Sequence, residues 1–181
     1  MTNLYSYSIF GNFNKDNDTI IYNTDPRNKN IGNKLIHQIK NLKILKDFIE
    51  IDEKKYHEIL IQNLVPLSHY DLEENKSLLL ENNFENLNSI SWDKGCYVGQ
   101  EITARMKYRA LLKKKIYSLV VKKGSPQVEQ SIKENESNYG KIISIENNFI
   151  LAMLKIELAE GKINAQQQIK TDEGVVLEFI V

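Results

Sequence analysis

The feature that most narrows the possible fold is a change of character near residues 110–115. Beyond it, Ile116–Val121, Tyr139–Ile145, Phe149–Ile156, Ile163–Ala165 and Val175–Val181 are short β-branched or apolar runs, broken by turn residues such as Lys123-Gly124-Ser125-Pro126. Short strands punctuated in this way predict a small antiparallel β-barrel or sandwich. The chain ahead of the boundary mixes strand and helix patterns. We therefore read an α+β part over residues 1–110 and a β-barrel over residues 111–181.

In the first part, Leu4–Phe10 alternates bulky apolar residues with Ser and Tyr, and Thr19–Tyr22 is β-branched and aromatic. Both read as strands, and the polar stretch Gly11–Asp18 between them suggests a hairpin. Leu35, Ile39, Leu42, Leu45 and Ile49 recur at helical spacing, which predicts a helix across Ile31–Ile51, although Ile31-Gly32 could begin a strand. Asp52–Val65 is a clearer helix. Asp52 can cap it, Tyr56, Ile59, Leu60 and Leu64 share a face, and Pro66 ends it. Residues 67–88 are mixed, with an apolar Leu78-Leu79-Leu80 and an Asn-rich loop.

Composition excludes several functions. Hydrophobic residues make up 41% of the 181 and charged residues 27%, which places the chain among globular proteins rather than disordered ones. Lys+Arg and Asp+Glu both total 24, so bulk charge gives no case for nucleic acid or an anionic membrane. The first residues lack a basic, apolar leader pattern, and no apolar run reaches membrane-spanning length. The one cysteine rules out an internal disulfide framework and suits a reducing compartment, the cytoplasm.

That cysteine lies in Lys94-Gly95-Cys96-Tyr97-Val98-Gly99-Gln100-Glu101. Glycines on each side allow positive φ or close approach, and Lys94 is placed to favour the thiolate. The helix-compatible run Ile102–Met106 follows, so the thiol is expected at a loop-to-helix junction. A lone cysteine is commonly a small buried hydrophobe or an inert thiol; a functional one could be a nucleophile, a metal or cluster ligand, or a redox sensor. His37, His57 and His69 show no ligand spacing with it, so a zinc site has no ligand set and no metal site is predicted. Glu101 is either a solvated helix residue or a carboxylate for a two-donor edge such as a pterin's. Asp25-Pro26-Arg27 starts a turn, with Arg27 either merely exposed there or aimed at an anion. Lys113-Lys114-Lys115 and Lys122-Lys123 are a solvated basic face or a weak phosphate contact. Dinucleotide, P-loop, serine-hydrolase and zinc-protease motifs are absent from the sequence.

The octapeptide, with Ile102-Thr103-Ala104-Arg105 and Tyr108-Arg109 after it, resembles the signature of the YgfZ-type folate-binding proteins, relatives of the glycine cleavage T protein (aminomethyltransferase). Three weaker matches fall in order. They are Asp25-Pro26-Arg27 with Ile31-Gly32, Tyr56 through Val65-Pro66, and Tyr139–Ser144 with Leu151–Lys155. The resemblance implies a partial aminomethyltransferase-like folate-binding domain followed by the terminal barrel. It further implies a role in iron–sulfur cluster assembly or repair for client enzymes, tRNA-thiolating ones among them. On this reading Cys96 is the functional thiol, helped by Lys94 and Arg105. Glu101, Gln100, Arg27 and Tyr97 are the expected contacts of tetrahydrofolate. The implied partners are iron–sulfur enzymes or cluster-assembly proteins, with tRNA contact a further option. Aminomethyl transfer, or a role as a protein- or tRNA-binding module, are the alternatives. Two departures stand out: Leu60 occupies the family's Arg position, and Leu64 its Gly position. Family members also carry a folate-binding half ahead of the Asp-Pro-Arg element that is mostly absent here, so the resemblance implies a shortened member, with a second chain a possible source of the missing half.

Overall fold

Tyr5–Ile9 (β1), Thr19–Thr24 (β2) and Asn33–His37 (β3) form a three-stranded sheet in a computed structural model that describes residues 4–38, 48–109 and 111–180. Its order is β1-β3-β2, and both neighbours run antiparallel to β3. The two strands expected as a hairpin therefore both form, but they do not pair with each other. They run parallel on either side of β3, an arrangement that no tight turn can connect. Leu35 explains why β3 takes the centre. It is fully buried, lies opposite Tyr7 on one side and Tyr22 on the other, and packs in a cluster with Ile9 and Phe13.

This strand also corrects the helix expected from Ile31. Lys29–Ile31 is a single 3-10 turn, and Asn33–His37 alternates with period two, burying Leu35 and His37. Cross-strand pairing on both edges outweighs the helical spacing of the apolar residues here. Residues 48–51, at the end of that expected helix, are not helical either, and 39–47 lies outside the described residues.

Helix α1 spans Glu53–Gln62 and starts as expected, with the Asp52 carboxylate accepting from the Lys55 N–H at 2.7 Å. It ends in a Schellman turn, with Val65 N–H donating to Leu60 O at 3.0 Å, Leu64 N–H to Ile61 O at 3.1 Å, and Leu64 itself at φ 53°. A short helix α2 (Ser68–Asp71) follows, and turns lead to α3 (Gln100–Tyr108).

The second part is a nearly closed six-stranded antiparallel barrel. Its strands are β4 (Lys114–Lys123), β5 (Ser131–Glu134), β6 (Ser137–Glu146), β7 (Phe149–Lys155), β8 (Ile169–Lys170) and β9 (Val176–Phe179), in the order β5-β6-β7-β4-β9-β8. The edges β5 and β8 meet where Asp172 N–H donates to Lys133 O at 2.9 Å and Lys170 N–H to Glu134 Oε1 at 2.8 Å. Between β7 and β8, Ile156–Asn164 is a helix, α4, with Ala159 fully buried. The strand expected at Ile163–Ala165 is therefore corrected. Ile156, Ala159 and Ile163 stand at helical spacing, and Ile163 packs on the barrel core from a helix.

Strand β7 is apolar on both faces because both are covered. Ile150, Ala152 and Leu154 belong to the barrel core. Leu151 belongs instead to a second core with Ile61 of α1 and Ile116, which Leu64, Ile143, Phe149 and Met153 border. This second core joins the two parts.

Candidate functional site

Gly99 forms the N-cap of α3 in the left-handed region at φ 85°, whereas Gly95 does not take a positive φ. The loop thus enters the helix through Gly99, and Cys96 sits on it, exposed, as a free thiol. The Gln100 side chain reaches back to accept from Tyr97 N–H at 3.1 Å. Thr103 is the buried residue of the helix, with its hydroxyl on Gly99 O at 3.2 Å.

The cations expected beside the thiol have other partners. Lys94 Nζ lies 4.5 Å from the Tyr97 ring centroid, and Arg105 pairs with Glu101 at 2.5 Å, one helical turn apart. Glu101 is therefore occupied by Arg105 on the open surface, its side chain 76% exposed.

The loop is anchored by residues that the motif does not contain. Trp92 Nε1–H donates to Glu85 Oε1 at 3.0 Å, and Lys107 pairs with the same carboxylate. Lys107 Nζ also lies 4.1 Å over the Trp92 ring, and Tyr108 meets that ring edge-on at 5.9 Å. The chain's only tryptophan, two residues before the motif and four before Cys96, was the available sequence signal for this anchor.

Arg27 belongs to a different cluster. Its Nε and Nη2 clamp the buried Asp25 carboxylate at 3.0 and 2.8 Å. Burial works against the charge on Asp25, but the Arg27 hydrogen bonds overcome it and hold the carboxyl below its ordinary range. No hydrogen bond or ion pair joins Arg27 to Tyr97, Gln100 or Glu101. Among the described residues, two cavities of about 710 and 510 Å³ lie on the barrel, and none of these four residues lines them.

A second polar cluster lies between α1 and the barrel. His57 Nε2 is 3.1 Å from both oxygens of Asp71, and its Nδ1 is 3.2 Å from Glu146. Ser144 Oγ donates to Asp71 at 2.5 Å, and Leu67 N–H donates to it at 2.6 Å. Serine here bonds the carboxylate and not the imidazole, so no base is in position to activate it. Burial opposes protonation of His57, yet Asp71 and Glu146 prevail and raise its pKa above the ordinary value. The cluster keys helix to barrel. Among the described residues, no group of three or more His, Cys, Asp or Glu could hold a metal ion, and no helix is long and apolar enough to cross a membrane.

No family profile matches the chain. Its sequence is similar to the mitochondrial iron–sulfur cluster assembly factor IBA57 of Mus musculus, 28% identical over 156 residues, which covers 83% of this chain and 42% of the mouse protein. The Homo sapiens IBA57 is 27% identical over 155 residues, with the same coverage of 83% and 42%. The tRNA-modifying protein YgfZ of Buchnera aphidicola subsp. Baizongia pistaciae is 30% identical over 142 residues, covering 72% of this chain and 43% of that protein. The chain thus spans less than half the length of each of these relatives.

Proposed function

From its homology to the IBA57 and YgfZ proteins, we propose that this chain is an accessory factor in the assembly or repair of iron–sulfur clusters, acting through Cys96. Its clients are cluster-containing enzymes, including tRNA-modifying ones. The observation that carries the reading is the exposed thiol of Cys96, on a loop anchored through Trp92 and Lys107 to Glu85. A cluster is cargo for such a factor, and a thiol must be accessible to touch it. The thiolate is the form that ligates iron. Arg105 is in an exposed i,i+4 pair with Glu101, a contact weak enough to leave the guanidinium free to exchange partners at little cost. Lys94, 4.5 Å from the Tyr97 ring centroid, is held by a similarly weak contact. Val98, Ile102, Tyr108 and Leu111 are apolar and exposed around this loop and supply surface for a client or a second chain.

The test is complementation of cells that lack the protein. The Cys96→Ser variant, present at wild-type abundance, is expected to leave cluster-dependent enzyme activities depressed. Full activity with that variant would remove the thiol from the mechanism.

Tetrahydrofolate binding would require further walls around Glu101, Gln100, Tyr97 and Arg27, supplied by other polypeptide. Calorimetric titration of this chain alone is expected to give no saturable heat. Tight binding would mean that this chain by itself forms the folate site that the resemblance implies.

A further inference from the structure

The Asp25-Pro26-Arg27 turn brings Arg27 beside Lys34, a residue of the central strand β3. Asn23 and Lys34 are cross-strand partners, Asp25 N–H donates to Gly32 O at 3.1 Å, and Asn88 Nδ2 holds the turn by donating to Pro26 O at 2.9 Å. Two hydroxyls complete the group. Lys34 Nζ is 3.4 Å from Ser8 Oγ on β1, and Ser8 Oγ donates to the Tyr56 hydroxyl of α1 at 3.0 Å. Tyr56 in turn neighbours the Arg27 guanidinium.

The charges in this group do not balance. Asp25 is the carboxylate beside the two cations, and both its oxygens are taken by Arg27. Lys34 is half-buried, and among the described residues no carboxylate pairs with it. Burial first, and Arg27 second, push its pKa below the ordinary lysine range. A part-buried cation beside a second cation is costly unless an anion meets it.

We propose that Arg27, Lys34, Ser8 and Tyr56 form a binding site for a small oxyanion, a phosphate or carboxylate group. The ammonium supplies charge and two unused hydrogens, the guanidinium edge beyond Asp25 adds a second cation, and the Tyr56 hydroxyl, oriented by accepting from Ser8, adds a neutral donor. The site draws on four separate chain segments, so its geometry is set by the fold and not by one turn. It is independent of the reading for Cys96, which contributes no atom to it.

Titration of the whole chain with inorganic phosphate, and separately with acetate, at fixed ionic strength tests the site by amide chemical shifts. Saturable shifts at residues 8, 27, 34 and 56 with either anion are expected, and the anion that saturates identifies which oxyanion is preferred. Lys34→Met should weaken that binding about ten- to a hundredfold, the loss of a charge-assisted contact. Cys96→Ser should leave it unchanged. In anion-free buffer, Lys34→Met should be at least as heat-stable as the wild type, because it removes an uncompensated charge. The site is overturned if neither anion saturates, if Lys34→Met binds as tightly, or if that variant is less stable without anion.

Discussion

Gly140 lies on β6 at φ 150°, and a β-carbon there would fall 1.9 Å from the Met153 carbonyl oxygen of β7. Backbone cannot yield locally in mid-barrel, so Gly140→Ala is expected to cost about 3 kcal/mol or more, measured by urea denaturation. A loss within experimental error would mean that the strands separate more easily than their packing implies. Leu60 and Leu64 show the same logic at the two positions where the resemblance departs. Leu60 is fully buried among Ile31, Val65 and Leu87, so the family's Arg has no place there in this chain. Leu64 occupies the left-handed corner of the Schellman turn, the conformation that makes Gly the ordinary choice. Cys96 is the opposite case, an exposed free thiol. Native protein should therefore react with a thiol reagent at a rate close to that of the unfolded chain, followed by mass spectrometry. Strong protection would place the sulfur under cover and weaken the case for a working thiol.

At the level of elements, α1 was legible because its signals are local. They are a capping Asp52, an apolar stripe and a following Pro66. The long strands β4, β6 and β7 were legible for a similar reason, being apolar runs bounded by turns. The order β1-β3-β2 was not legible, since adjacency in sequence suggested a hairpin and only the burial of Leu35 between two tyrosines decides otherwise. Helix α4 was missed because Gly161 and the short apolar runs around it resembled strand and turn. The docking of α1 carries a pH prediction. His57 has its pKa raised in the folded protein by Asp71 and Glu146 against the effect of burial. Its contribution to stability is then fully present below the unfolded value of about 6.5 and is lost as pH rises through the folded value. The urea midpoint of the wild type should fall across that window, while His57→Gln should show a flatter profile. Parallel profiles would mean that the imidazole stays neutral in the folded state.

For the whole molecule, the decisive contact is the second core, where Ile61 of α1 meets Ile116 and Leu151 of the barrel. Ile61 is fully buried there, so Ile61→Ala should cost about 2–5 kcal/mol. Because the core is shared, the two parts should unfold together. Trp92 fluorescence and far-ultraviolet circular dichroism should report coincident urea transitions in wild type and variant alike. Two separated transitions would show that the parts are energetically independent.

The sequence by itself determined that a glycine-flanked thiol motif precedes a helix, that a short-strand barrel follows, and that Asp52 caps α1. These depend on spacing, caps and turn residues within a few positions of one another. Only the tertiary structure decided that β3 separates β1 from β2, that Glu85 and Trp92 anchor the Cys96 loop, and that Arg27, Lys34, Ser8 and Tyr56 converge. Those arrangements join residues far apart in the chain. They are set by which side chains can be buried and which charges compensated once the sheets and helices have packed.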